Sequence, residues 1–212
     1  MAVKKPILQK AVPQSLILAT NNRGKLLELQ APLSALNIDI KTQPDYGLES
    51  VDETGQTFIE NALLKARMAS QKTGLPAIAD DSGLLVEALQ GAPGLYSARY
   101  AGAQATDVEN YEALLKAMKD VSQDKRQAHY YCCIVFLQNA CDPTPVICEG
   151  RWYGRILLSP QGEEGFGYDP VFFVPEYQCS AAQLKPSQKN RISHRAQAIM
   201  NLVSYFQDAQ NQ

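Results

Sequence analysis

The order of patterns along the chain constrains its fold most: strand and helix alternate early, and two long strand-like runs joined by a turn follow late. SLILAT, Ser15 to Thr20, runs into the polar loop NNRGK. A helix is then predicted from about Lys25 to Leu36, with Leu26, Leu29 and Leu33 on one face despite Pro32. After an irregular stretch from Pro44 to Glu53, TFIENALLKARMASQKTG predicts a second helix. Thr57 and Glu60 have capping-box spacing, Phe58, Ala62, Ala66 and Ala69 give a narrow packing face, and Gly74 ends it. Pro76 to Ala79 is predicted as a strand entering a turn at Asp80-Asp81-Ser82-Gly83, with a ribbon through Leu84, Val86 and Ala88 beyond it.

Thr106 and Glu109 open a third helix, with Val108, Tyr111, Leu114, Leu115 and Met118 on one side. Ala128 to Leu137 is then almost uniformly apolar or aromatic, Asp142-Pro143 turns, and Val146 to Leu158 returns as a second long strand. VFFV, Val171 to Val174, is a short strand, and a last helix begins near Ser193 with Ile199, Leu202, Val203 and Phe206 inward. Early alternation calls for parallel strands and the late hairpin for antiparallel ones, so the expected class is α/β with a mixed sheet.

The 212 residues contain no linker between independent units, so one domain over 1–212 is expected, with 1–14 as an N-terminal extension and 208–212 as a polar tail. A net charge of −2 lacks the basic footprint of a duplex nucleic-acid binder, so any nucleotide ligand should be small. Five cysteines without paired CxxC spacing fit a reducing compartment, and Cys132 and Cys133 in HYYCCIVFL read as small buried hydrophobes. Lys4 and Lys5 precede Pro6, Gln9, Lys10, Pro13 and Gln14 rather than a signal-peptide apolar core, and no apolar run reaches membrane length. A soluble, cytoplasmic protein with no membrane partner is the expectation.

Five segments carry candidate chemistry. Asp80-Asp81-Ser82-Gly83 follows an apolar strand, where open α/β sheets place ligand crevices. Only one of two neighbouring strand residues can point into such a crevice, so the motif projects one carboxylate and the Ser82 hydroxyl towards a bound group. A plain polar turn is the alternative. Thr20-Asn21-Asn22-Arg23-Gly24-Lys25, between strand and helix, offers amides, a glycine and two cations as a polyphosphate cradle without Walker A spacing; a capped turn explains it equally. Asp52 and Glu53 can share a hard cation such as Mg2+ with the Asp-Asp segment, or form a solvated acidic loop. Asn61 and Lys65, one helical turn apart, face either this site or solvent.

In Gly165-Phe166-Gly167-Tyr168-Asp169-Pro170 the glycines let a ring approach a planar ligand, and Asp169 is a hydrogen-bond acceptor for a purine edge or a sugar; a packed aromatic loop is the alternative. Lys189, His194 and Arg195 stand just before and at the start of the last helix. There His194 is less readily a core histidine than His129 in its strand. His194 and Arg195 can donate to a keto oxygen, whereas an adenine amino group would meet donors with a donor.

Taken in order, ATNNRGKLLEL, ETGQTFIENALLKA, ADDSGLLVEALQGAPGLYSARYAG, GFGYDPVFF and ISHRAQA closely resemble the inosine/xanthosine triphosphate pyrophosphatases, the dITP/XTP diphosphatase family, from about Leu16 to Phe206. The resemblance implies an elongated, twisted mixed sheet flanked by helices, two lobes with the active-site cleft between them, and a homodimer. It also implies Mg2+-dependent hydrolysis of ITP, dITP and XTP to the monophosphate and pyrophosphate. By matching motif positions, Thr20, Asn21, Asn22, Arg23, Gly24 and Lys25 would hold phosphates, Asp81 would be general base and metal ligand, and Ser82 would contact substrate. Phe166, Gly167, Tyr168, Asp169, Lys189, His194 and Arg195 would bind the nucleotide, with Asp52 and Glu53 as candidate acidic partners for the metal. The rivals are a hydrolase for another modified or pyrimidine triphosphate and a non-catalytic nucleotide-binding module.

Overall fold

The computed structural model describes residues 11–20, 22–49 and 51–210. Strand β1 (Ser15–Leu18) leads into α1 (Arg23–Ser34) and then β2 (Asp39–Thr42), which pairs parallel to β1. Helix α2 (Phe58–Thr73) carries the chain back to β3 (Ala77–Val86), parallel to β1 on its other side. After α3 (Asp107–Ala117), β4 (Gln127–Leu137) and β5 (Val146–Ile156) pair antiparallel, and the short β6 (Phe172–Val174) and β7 (Cys179–Ser180) finish the sheet. Helices α4 (Pro186–Ile192) and α5 (His194–Gln210) end the described chain. The sheet has seven strands in the order β2-β1-β3-β4-β5-β6-β7, so the expected mixed α/β sheet is present.

Both capping boxes form: Thr57 with Glu60 at the start of α2 and Thr106 with Glu109 at the start of α3. Gly74, in the left-handed region at φ 71°, ends α2 as expected.

Asp80-Asp81-Ser82-Gly83 is not the turn that its composition predicts. Strand β3 runs straight through it, paired with β4 from Ala77 opposite Leu137 to Val86 opposite Ala128. Local composition favours a turn, but a long, apolar partner strand on one edge outweighs that preference. Strand β2 lies in the polar run DIKT, and α4 opens on Pro186 at its first turn; both gain their structure from neighbours rather than from hydrophobic period.

Two apolar layers sandwich the sheet. On one face Leu16, Leu18, Ile78, Ile134 and Phe136 pack against α1 and α5 through Leu29, Leu33, Ile199, Leu202 and Phe206. On the other, Ile17, Ala77, Ala79, Cys133 and Val135 meet Ala62, Ala66 and Ala69 of α2. A third cluster lies beyond, where Leu84, Val86, Tyr130, Trp152 and Phe172 pack against Leu114 and Met118 of α3. Among the described residues no helix is long and apolar enough to cross a membrane.

Helix α5 sits unusually close to β5 because Gly150 has no side chain. A Cβ there would lie 2.0 Å from the His194 carbonyl oxygen and 2.9 Å from the Ala198 nitrogen. Gly150→Ala should therefore push the start of α5 off the sheet and cost about 2 to 4 kcal/mol, read as a lower urea midpoint than wild type.

Candidate active site

The strand order reverses around β1, because α1 leaves on one face towards β2 and α2 returns on the other towards β3. Open α/β sheets bind ligands at such a switch point, beyond the carboxyl ends of the strands. Here β1 stops at Leu18 and pairs with β3 only at Ala77 and Ile78, so the edge of β3 past Ile78 is exposed to a cavity of about 310 Å3. A 3-10 segment, Gly94–Arg99, closes the far side of that edge. The Leu84 amide donates to Ser97 Oγ at 2.9 Å, and Ser97 Oγ donates to the Gly94 carbonyl at 2.6 Å. Gly83 permits this approach, since a Cβ would meet Gly94 O at 2.4 Å.

Alternation along β3 sends the adjacent carboxylates to opposite faces. Asp81 points towards α2, accepts from Asn61 Nδ2 at 3.1 Å and lies 3.5 Å from Lys65 Nζ. Lys65 Nζ also holds Glu53 Oε1 at 2.7 Å, and Arg99 reaches Glu53 Oε2 at 3.5 Å. Asn61 Oδ1 accepts from the Gly55 amide at 2.8 Å, pinning the acidic loop to α2. Burial and then the Glu53 charge push the Asp81 carboxyl above its usual range against the pull of Lys65. Burial also works against Glu53, but the bonded Lys65 ammonium, with Lys25 and Arg99, holds it below its usual range.

Two carboxylates that touch one ammonium converge on one point, with like-charge strain between them. This suits a hard divalent cation, and Mg2+ takes one or two protein carboxylates together with substrate phosphates. Among the described residues no group of three or more His, Cys, Asp or Glu stands together as a metal cage. Glu53 lines the cavity; Asp52 is exposed and does not.

Asp80, 1% exposed, points the other way. Lys25 Nζ holds its Oδ2 at 2.9 Å and Arg195 Nε lies 3.4 Å from the same oxygen. Arg195 also reaches Glu28 at 2.6 Å and donates to Ser82 Oγ at 3.0 Å. Burial opposes ionisation of Asp80, but Lys25 and Arg195 outweigh it and hold the carboxyl far below its usual range. Only Asp81 of the pair lines the cavity, together with Ser82.

Thr20, Asn22 and Lys25 also line it. Asn22 caps α1, accepting from the Lys25 amide at 3.0 Å. Asn21 and the Arg23 side chain lie outside what the structure describes. Gly24 sits beneath the Phe166 ring, where a Cβ would be 3.6 Å from a ring carbon. Phe166, 39% exposed on the cavity wall, has Lys189 Nζ 4.7 Å and the Arg195 guanidinium 5.8 Å from its centroid. Asp169 is buried beneath this loop, paired with Lys189 and accepting from the Phe166 amide at 3.0 Å; burial raises its carboxyl despite Lys189. Gly167 and Tyr168 complete this wall.

His194 is more buried than the sequence suggests. It is 6% exposed and its ring stacks on Tyr130 at 4.7 Å and 7°. His129, by contrast, is half-buried beside exposed Tyr153. The first turn of a helix clamped to the sheet is deeper than a strand position on an uncovered face. Burial, then Arg195 and Lys189, depress the His194 imidazole well below its usual range, so it is neutral at neutral pH. Lys65, Asn61, Arg99, Ser97 and Tyr130 join the site only through folding. The i, i+4 spacing of Asn61 and Lys65 was the sequence signal for those two, and Ser97 and Arg99 lay unremarked in the ADDSGLLVEALQGAPGLYSARYAG segment.

A family model described as the Ham1 family matches residues 16–205. The chain belongs to the Ham1 family. Among its relatives, the dITP/XTP pyrophosphatase of Idiomarina loihiensis is 55% identical over 193 residues, covering 89% of this chain and 96% of that protein. The protein of the same name from Escherichia coli O157:H7 is 54% identical over 190 residues, 90% and 96% of the two chains. A solved structure of a HAM1 protein from Coxiella burnetii superposes with a TM-score of 0.88 at 46% identity, covering 92% of this chain and 98% of that one.

In this Ham1 chain the Asp80 cluster gives a direct stability test. A carboxyl whose folded pKa is depressed contributes stability that is present above its unfolded value of about 4 and lost as pH falls towards the folded one. Asp80→Asn should cost about 3 to 5 kcal/mol at neutral pH by leaving Lys25 and Arg195 without their shared partner. The variant should also lose part of the wild-type fall in stability below about pH 4, measured by denaturant titration across pH.

Proposed function

We propose that this chain is a single-domain, cytoplasmic pyrophosphatase that hydrolyses dITP, XTP and ITP to the monophosphate and pyrophosphate. The observation that carries the reading is one cavity with two chemically distinct walls: Glu53, Lys65 and Asp81 with Lys25 at one end, and Phe166, Lys189 and His194 at the other. The first wall suits a triphosphate and the second a planar base, and relatives more than half identical carry the name dITP/XTP pyrophosphatase.

In this reading Lys25 and the amide end of α1 hold the phosphate chain, where helix geometry leaves first-turn N–H groups free for an anion. Glu53 and Asp81 would hold Mg2+, which when bound supplies neutralisation of phosphate charge. Asp81 orients the attacking water and takes its proton as the oxygen attacks the α-phosphorus, and pyrophosphate leaves. Lys65 keeps both carboxylates aimed and offsets charge on the leaving group. At the other end the Phe166 ring stacks on the base while His194 and Arg195, both on the cavity wall, donate to its keto oxygen. Adenine presents an amino donor there and leaves buried donors unpaired, which is a strong basis for rejection.

A homodimer belongs to the same reading. Its candidate surface is the face of β4 and β5 carrying exposed Ile147 and Tyr153 with Arg151 stacked on Tyr131.

The test is pyrophosphate release from dITP, XTP, ITP, ATP, GTP and dTTP, each with Mg2+ and with EDTA. Metal-dependent turnover favouring the first three is expected, and Asp81→Asn should lower it by at least about 10²-fold while melting like wild type. A preference for dTTP would assign the enzyme to pyrimidine triphosphates, and binding of XTP without turnover would make it a binding module.

A further inference from the structure

The segment around Phe166 has two glycines in the left-handed region, Gly165 at φ 83° and Gly167 at φ 64°. Such a segment has wide conformational freedom when untethered. In the folded chain the two amides that flank the Phe166 Cα are each held by a carboxylate. The Phe166 N–H donates to Asp169 Oδ2 at 3.0 Å, and the Gly167 N–H donates to Asp107 Oδ2 at 2.7 Å. Asp169 belongs to the same loop as Phe166. Asp107 lines the same cavity from the first turn of α3, so its bond is a tether between two separate elements.

The frame behind Asp107 is well fixed. Thr106 and Glu109 cap α3, and buried Asn110 accepts from the Ala101 amide at 2.9 Å and donates to the Ala98 carbonyl at 3.2 Å. The Tyr168 hydroxyl adds a deeper crossing, donating to the Ser97 carbonyl at 2.8 Å. Asp107 itself is exposed, with its role in α3 limited to one acidic group in a turn already capped.

We propose that Asp107 is a positioning residue, which accepts the Gly167 amide across the cleft and so holds the Phe166 ring in place to stack on the substrate base. This rests on the pyrophosphatase reading and adds a residue that sets affinity for the base end of the nucleotide. A Gly167 amide left unbonded lets the Phe166 backbone rotate, and the ring loses its fixed plane over Gly24. At the phosphate end Lys25 and Lys65 are held by Asp80, Glu53 and Asp81 and not by this loop.

The comparison is between Asp107→Ala and Asp107→Asn, which both remove the charge from α3 while only Asn keeps an acceptor. Asp107→Ala should raise KM for XTP about tenfold with kcat within about twofold, and Asn should recover most of that rise. Inhibition by inorganic tripolyphosphate, which has no base, should be unchanged in both. In a Phe166→Ala background the Ala substitution at 107 should add nothing further, since both act through one ring. Equal weakening of tripolyphosphate, an unchanged KM, no recovery by Asn, or additive effects with Phe166→Ala would each overturn the assignment. Asp107→Ser, too short to reach Gly167, replaces the Ala variant if that protein does not fold. A wild-type protein without turnover would refute the pyrophosphatase reading alone, because XTP binding by calorimetry still reads the effect of Asp107.

Discussion

Two neighbouring carboxylates in the middle of a buried strand are costly unless each finds a partner, and the organisation of the site follows from how β3 meets that demand. Strand alternation gives Asp80 to one face and Asp81 to the other. Lys25 from α1 and Arg195 from α5 neutralise the first, while Lys65 from α2 serves the second. Three helices on two faces are thereby tied to one pair of residues. A buried charge tolerates little displacement of its partner, so the same contacts that keep β3 folded also set the positions of the cavity walls.

The two carboxylates differ in what their surroundings do to them. Asp80 is locked between two cations that both reach its Oδ2 and is kept from the cavity, an internal brace. Asp81 lines the cavity with a partial partner at 3.5 Å, and burial, then the like charge of Glu53, raises its carboxyl. An under-neutralised carboxylate beside a second one is a place that gains by admitting a cation. It stands beside the end of β1, where the parallel sheet opens onto the cavity.

Much of this was legible in the sequence, and the failures are local. The mixed sheet and both capping boxes could be read directly, because periodicity and cap spacing are local properties, and residues of the DDSG, NNRGK, GFGYDP and SHR segments do line one cavity. Reading DDSG as a turn failed because pairing with β4, distant in sequence, overrode local composition. The burial of His194 was missed because depth at a helix start depends on how closely α5 lies on Gly150. That Glu53 and not Asp52 lines the cavity depends on the reach of Lys65, a property of how α2 packs on β3.

By itself the sequence determined which chemistry this protein carries, since carboxylates, cations, an aromatic flanked by glycines and a helix-start histidine are fixed by residue type and order. It also determined the class of sheet, through the spacing of apolar residues. The tertiary structure alone decided which carboxylate faces the cavity, which cation serves which acid, and that Asp107 reaches across to Gly167. Those outcomes depend on distances between elements far apart in the chain, and such distances are set by packing rather than by any local preference.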